Sequence, residues 1–551
     1  MISKIILLLI SISFILMTKF ITFSFTSVNK ILIVKLLMMF ISLLSLTVFF
    51  VKSKRFQNIL DNIKQRKRFV IVLFLIGSVF ILTKSFILHS EDGDYVVGND
   101  VVSYFIQARI FSTGSINVPS HELKDFFTTA FCINDGKYYG KYFPGWPAFL
   151  AIGIKLGLPW IINPIFGFFT LIIIYFIGKE IYDKETGIFA SLLLLFSPSY
   201  FTNTPNYLSH TSTLFFSTLF FYLTVKTIKA PKVMTSLLAG LSLNIAFLIR
   251  PYPTIAVSLP ILIYLFFISL KKKKLPIYHL GIIALAIIVA LLILLAYNYI
   301  QTGSVFLTPM EYYNPFDKLG FGLRSEDISI EPKPYTIMMG LKNMFLNLAL
   351  LNINSVRFLF IFLFFVLISK KDKWDIILFG TILTIIVFHL FYFARYTRYY
   401  YASFFALFLL AARGIKISSI SFIKMFPDNP VKSLHYLILF FIAIANIFII
   451  INPQSLIRDY ELYKKARGPF NLVKENNLRN AVIFLKTGSN PQRNSKISFY
   501  VQNPLNFDGD ILFVKDLKER NAELMGYYPE KEFYTYEFDQ KVKSGRLTRL
   551  R

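Results

Sequence analysis

An all-α polytopic membrane fold with a small C-terminal α/β unit is what this sequence predicts, and three observations predict it. The 551 residues are 55% hydrophobic, with a mean hydropathy of +0.57. The apolar residues gather in runs of about 17–25, long enough to cross a bilayer core as helices. The net charge of +28 sits mainly in the short intervals between those runs. In a soluble protein such a charge would point to nucleic acid. Between spans it reads as cytoplasmic loops that obey the positive-inside rule and face anionic lipid. No nucleic-acid partner is expected, and the lipid bilayer is the first partner.

About thirteen transmembrane helices follow from the run lengths. They are Ile5–Phe25, Ile31–Val51, Phe69–Leu88, Ile161–Ile177, Gly187–Phe201, Leu208–Val225, Met234–Ile249, Tyr252–Leu270, Ile277–Tyr297, Val356–Ser369, Trp374–Phe393, Tyr399–Ala412 and Leu434–Ile451. Lys4 before the first run resembles a signal peptide, but no small-residue cleavage site follows, so the first span is expected to be retained. The segment Lys52–Arg68 carries Lys52, Lys54, Arg55, Lys64, Arg66, Lys67 and Arg68 against Asp61 alone. It is therefore expected in the cytoplasm, with the N-terminus. Alternation then puts Lys179–Thr186, Lys226–Lys232, Lys271–Lys274, Lys370–Lys373 and Arg413–Lys432 on the same side, provided Pro147–Leu158 and Ile337–Leu351 do not span.

The other side receives the outer loop 89–160, the Arg250-Pro251 corner, Gln301–Lys333, Arg395–Arg398 and the tail after Asn452. The chain thus divides into a multi-pass domain, 1–452, in the plasma membrane and a small extracytoplasmic α/β domain, 453–551. Strands are expected at Ala481–Leu485, Ile511–Val514 and Phe533–Phe538, with a helix at Leu517–Met525. The lone cysteine, Cys132, excludes an intramolecular disulfide and a Cys-based zinc site. Six scattered histidines form no HExxH pair, and no Walker A pattern appears.

The outer loop opens on Glu91, Asp92, Asp94 and Asp100 and closes on Lys141-Tyr142-Phe143-Pro144-Gly145-Trp146-Pro147. Carboxylates and a base held beside a bilayer suit chemistry on a membrane-embedded substrate. As a helix, Asp100–Phe111 places Val101, Val102, Phe105, Ile106 and Ile110 on one side and Asp100, Ser103, Tyr104 and Gln107 on the other. Such a helix would lie on the membrane surface, with Arg109 snorkelling toward lipid phosphate. Read from composition alone, Asp100 is more simply a helix cap.

The run Asp100-x-x-x-Tyr104-x-x-x-Ala108-Arg109-x-x-x-x-Gly114 resembles the first-loop motif of the GT-C glycosyltransferases that use lipid-linked sugars. These include the protein O-mannosyltransferases and the lipid A aminoarabinose transferases. Their motif reads Asp-Glu-Pro-x-Tyr-Ala-x-x-Ala-Arg; here Val101 and Val102 stand where the family has Glu and Pro. Lys141–Pro147 resembles the segment that enters the next span. Phe196-Ser197-Pro198, Tyr207-Leu208-Ser209-His210, Phe247–Pro251, Tyr297–Gly303, Asn503-Pro504 and Tyr528-Pro529 resemble uncharacterised members.

The resemblance implies a GT-C type fold and an inverting transfer of a sugar from a polyprenyl-phosphate donor to an acceptor hydroxyl. Asp100 would be the general base, with Asp92 and Asp94 as alternative acids. Tyr104, Lys141, His210, Arg250, Glu311, Arg395 and Arg398 would bind substrate, the cations by stabilising the departing phosphate. No cofactor is required, although Asp92, Asp94 and Asp100 together suit a divalent metal. Each residue also has a plainer reading. Arg395 and Arg398 suit an interfacial belt, Arg250 a span end, His210 a structural histidine, and Glu311 a solvated loop acid. Two other functions stay open: a transporter or flippase of lipid-linked saccharides, which predicts charge within spans, and a non-catalytic assembly factor for envelope glycans. The acceptor — glycan, lipid or protein — is left open.

Overall fold

The computed structural model describes residues 67–89, 98–270, 275–355, 359–425, 434–450, 468–486, 499–539 and 544–550. The expected spans Ile5–Phe25 and Ile31–Val51, the acids Asp92 and Asp94, and Lys271–Lys274 lie outside them.

The chain begins with α1 (Lys67–His89) and α2 (Asn99–Ser112). A small sheet follows, from β1 (Val118–Pro119), the one-turn α3 (Lys124–Phe127), β2 (Cys132–Asp135) and β3 (Lys137–Gly140), in the order β1-β3-β2. The polypeptide then enters the bundle through α4 (Gly145–Lys155), α5 (Ile162–Ile181), α6 (Lys184–Leu195) and α7 (Pro198–Asn203). Next come α8 (His210–Lys229), α9 (Val233–Ile249), α10 (Pro251–Leu270) and α11 (Tyr278–Thr302). A long loop carries α12 (Pro309–Tyr313), β4 (Gly322–Arg324) and β5 (Lys333–Tyr335). The bundle is completed by α13 (Ile337–Asn354), α14 (Leu359–Ile368), α15 (Lys373–Leu390), α16 (Phe404–Met425) and α17 (Leu434–Ile450).

Among the described residues, five helical stretches are long and apolar enough to cross a membrane: 159–181, 251–270, 278–302, 373–390 and 397–421. Three shorter apolar helices accompany them, Leu73–His89, Val233–Ile249 and Leu359–Ile368. On α11, Leu285, Ile288, Leu292 and Tyr299 are exposed, as expected of a helix that faces lipid. The stretches Pro147–Leu158 and Ile337–Leu351 fall in α4 and α13, and neither helix is among those able to span. The single span expected over Gly187–Phe201 is instead two helices. Ser197 adopts an extended conformation and Pro198 starts α7, because proline can open a helix but disfavours a helical residue before it.

α8 runs from His210 to Lys229, about 30 Å at 1.5 Å per residue, and so connects two chemically different ends. At the Lys229 end the basic loops are tied together by ion pairs. Lys226 meets Glu180 at 2.7 Å, Lys416 meets Asp183 at 2.9 Å and Glu185 at 3.1 Å, and Arg413 meets Asp375 at 3.0 Å. The His210 end carries the first loop, the long loop after α11 and the C-terminal sheet.

That sheet consists of β6 (Ala481–Leu485), β7 (Ile511–Lys515), β8 (Glu532–Asp539) and β9 (Ser544–Arg549), with α18 (Asn521–Tyr527) between β7 and β8. Its order is β7-β6-β8-β9. β6 pairs in parallel with both neighbours and β9 returns antiparallel. The three strands anticipated from the sequence are thus joined by a fourth, β9. All of β6 is buried, and its alternation separates two faces. Ala481, Ile483 and Leu485 pack with Tyr534 and Tyr536. Val482 and Phe484 join Val101, Phe105, Phe126 and Trp146 of the first loop in one apolar core. The sheet is therefore welded to the loop rather than hung from it.

Candidate active site

α2 does not lie on a membrane surface. Nine of its fourteen residues are buried, Ser103, Tyr104 and Gln107 included. Its polar side is covered by the loop that follows. Ser103 donates to the Phe131 carbonyl at 2.6 Å and accepts from the Lys141 amide at 3.1 Å. Gln107 donates to the Ile116 carbonyl and accepts from the Gly140 amide. Gly140 is required here, since a Cβ would stand 2.5 Å from the Ser103 carbonyl oxygen. Gly145 is likewise pressed against the end of α9, where a Cβ would lie 2.6 Å from the Ile249 nitrogen. A helical wheel shows which residues are polar but not what covers them. Arg109, expected to reach toward lipid, donates instead to the carbonyls of Val501 and Asn503 beside the C-terminal sheet.

Asp100 lies in the first turn of α2 and lines a cavity. One carboxylate oxygen accepts from the Tyr142 hydroxyl, and the other pairs with Arg398 Nη2 at 3.1 Å. Both charged side chains stay partly open, 27% for Asp100 and 28% for Arg398. Burial and the neighbouring Asp100 charge push the Tyr142 hydroxyl well above its ordinary pKa, so it remains a donor. Tyr104 stacks on Tyr142 at 4.4 Å and shares a 2.9 Å hydrogen bond with Ser209. Its hydroxyl is pushed up to about 12, chiefly by burial.

The opposite wall comes from α8, the α9–α10 corner and the segment after α15. Arg250 Nη1 lies 3.1 Å from His210 Nδ1, 3.2 Å from its Nε2 and 3.5 Å from Ser209 Oγ, and its guanidinium stands over the Tyr399 ring. Among the described residues Arg250 has no carboxylate partner. Glu311 lines the cavity and accepts from the Thr308 hydroxyl at 3.1 Å. His389, Tyr392 and Tyr399 complete this wall.

The structure thus brings Asp100, Tyr104, His210, Arg250 and Glu311 to one cavity, with Arg398 behind Asp100. It does not bring Arg395 there; that side chain is exposed and off the lining. Lys141 is sealed behind the wall, 1% exposed, its Nζ 3.1 Å from Asp317 and 3.7 Å above the Phe131 ring. Phe131 adopts a left-handed backbone, φ 62°, uncommon for an aromatic residue. Asp317 also accepts from the Tyr392 hydroxyl at 3.0 Å and lines the cavity together with Lys318. Sequence reasoning passed over Asp317, Lys318, His389 and Tyr392. The only available signal was the place of Asp317 and Lys318 in the outer interval that also holds Glu311, and of His389 and Tyr392 at the end of the expected span Trp374–Phe393. Among the described residues, no group of three or more His, Cys, Asp or Glu side chains is arranged to hold a metal ion.

A family model described as dolichyl-phosphate-mannose-protein mannosyltransferase matches residues 149–294, beginning within α4 and leaving out α2. ArnT from Cupriavidus metallidurans in the apo state is structurally similar, with a TM-score of 0.52 at 14% identity over 85% of this chain and 92% of that one. The same protein bound to undecaprenyl phosphate gives 0.50 at 12% identity, over 86% and 94%. A search of curated proteins finds no match. The helical bundle, the matched family model and these two structures agree: this is an integral membrane protein with the fold of the GT-C glycosyltransferases.

Proposed function

We propose that the chain transfers a sugar from a polyprenyl-phosphate donor to an acceptor hydroxyl at the outer face of the plasma membrane, with inversion. One observation carries this reading: a single cavity holds an accessible carboxylate, Asp100, and a guanidinium, Arg250, that has no carboxylate partner among the described residues. The fold supports it as well, since a structure of ArnT with a similar fold has undecaprenyl phosphate bound.

The acceptor oxygen attacks the anomeric carbon from the Asp100 side. Its proton passes to the free lone pair of the Asp100 carboxylate. The bond from the anomeric carbon to the phosphate oxygen breaks, and the lipid phosphate leaves with the electron pair. Arg250 stabilises that growing charge, with Lys318 at the rim as a second cation. Arg398 and Tyr142 hold the two Asp100 oxygens in place. Glu311 binds sugar hydroxyls, and the Tyr392 and Tyr399 rings offer faces on which a sugar ring stacks.

The test is transfer by the purified full chain from a panel of radiolabelled polyprenyl-phosphate sugars, alongside the Asp100→Asn variant. The expected result is label transfer by the wild type and none by the variant at equal melting temperature. Retained transfer by Asp100→Asn would remove Asp100 as the base. Absence of transfer from every donor, with lipid-linked saccharide moving between leaflets, would favour a flippase.

A further inference from the structure

We propose that His210 serves as the neutral orienting partner of Arg250 and fixes that guanidinium for the donor phosphate; it is a positioning residue rather than a contact of the sugar. This rests on the donor reading above. Arg398 and Arg413, both partly buried, are held here by carboxylates, Asp100 and Asp375. Such a partner fixes the side chain but also cancels its charge. Arg250 is held differently. Its Nη1 faces the His210 ring at 3.1 and 3.2 Å, and an imidazole that accepts a hydrogen bond from a guanidinium must be the neutral form. Ser209 Oγ adds a second uncharged acceptor at 3.5 Å, and the Tyr399 ring supports the guanidinium plane at 5.4 Å.

Every partner of Arg250 among the described residues thus directs it without discharging it. A phosphate entering the cavity meets a full positive charge already oriented, which keeps the ordering cost of binding low. The arrangement also ties the anchor to the base. Ser209 joins Arg250 to Tyr104, and Tyr104 stands one helical turn from Asp100 on α2. His210 itself is fixed by its place at the start of α8, where it is 4% exposed.

The experiment is a double-mutant cycle on the full chain in nanodiscs, with undecaprenyl phosphate, carrying no sugar, as the probe. His210→Phe is expected to weaken binding about tenfold, the scale of one lost hydrogen bond to a charged group. His210→Gln, which keeps an uncharged acceptor, should restore binding to within about threefold. In an Arg250→Ala background, His210→Phe should change nothing further. His210→Ala gives the same comparison if the Phe variant does not fold. Equal losses in both backgrounds, or no loss from His210→Phe alone, would overturn the proposal and leave the donor reading standing. A wild-type protein that does not bind undecaprenyl phosphate would overturn the donor reading, and this inference with it.

Discussion

The same three residue types meet at both ends of the bundle, and they do opposite work. At the cavity end Asp100 is held by Arg398 and Tyr142. At the basic end Asp375 is held by Arg413 at 3.0 Å and by the Tyr182 hydroxyl at 2.5 Å. Asp375 takes a third donor, the Asp372 amide at 2.8 Å, within the capping box that starts α15. It is completely buried. Asp100 has two donors and remains 27% exposed. A carboxylate with all its partners inside the protein is a structural pin. One with the same neighbours and a lone pair facing a cavity is available for chemistry. Residue identity does not separate the two cases; the third donor and the exposure do.

The largest expected effects break this comparison directly. Asp100→Asn should reduce transfer by about 10²–10⁴-fold, the usual worth of a general base, while the melting temperature holds. Asp375→Asn should do the reverse. Removing one member of a buried pair costs about 3 kcal/mol, visible as a lower melting temperature, while turnover per folded molecule is kept. A stability loss at Asp100 and an activity loss at Asp375 would show that the two triads have been read the wrong way round.

Lys141→Met tests a third, intermediate case. The Lys141–Asp317 pair is almost wholly buried yet borders the cavity. Stranding Asp317 should destabilise the protein by about 3 kcal/mol and make the 304–335 loop more sensitive to limited proteolysis. An unchanged digestion pattern would argue against Lys141 as the pin of that loop.

The smallest effect concerns the contact between the first loop and the C-terminal sheet. His121 Nδ1 accepts from the Leu123 amide at 2.9 Å, and Nε2 lies 2.9 Å from the Tyr528 hydroxyl, which itself donates to the Phe507 carbonyl. Burial holds the imidazole below its ordinary pKa. The unfolded chain therefore takes up this proton at higher pH than the folded one. The His121 contribution is complete above about pH 6.5 and declines as the pH falls below that value. Thermal melts from pH 7.5 to 5 should show this decline in the wild type and a smaller one in His121→Phe. Identical slopes would exclude His121 as its source.

The sequence made the membrane class legible because spanning helices announce themselves by length and apolarity. It offered Asp100 as a candidate through the resemblance of Asp100–Gly114 to a family motif, and Arg398 because an arginine pair on the outer side runs against the charge bias of the loops. It could not distinguish Arg398 from Arg395, three residues away. Only the fold decides which of the two faces Asp100 and which faces solvent. Asp317 was missed for a related reason: it stands in a polar loop among several acids, and its significance comes from Lys141, 176 positions away. Pairings across such distances leave no local periodicity. The burial of α2 was misread because its hydrogen-bonding side chains imply water until the hairpin that replaces the water is in place.

The packing of α2 also has a consequence for the making of this protein. The helix that carries Asp100 emerges early in synthesis, yet it shares one apolar core with Val482, Phe484 and Leu512, and its Arg109 is held by the carbonyls of Val501 and Asn503. A ribosome must therefore translate almost the whole chain before the first loop has its full set of partners.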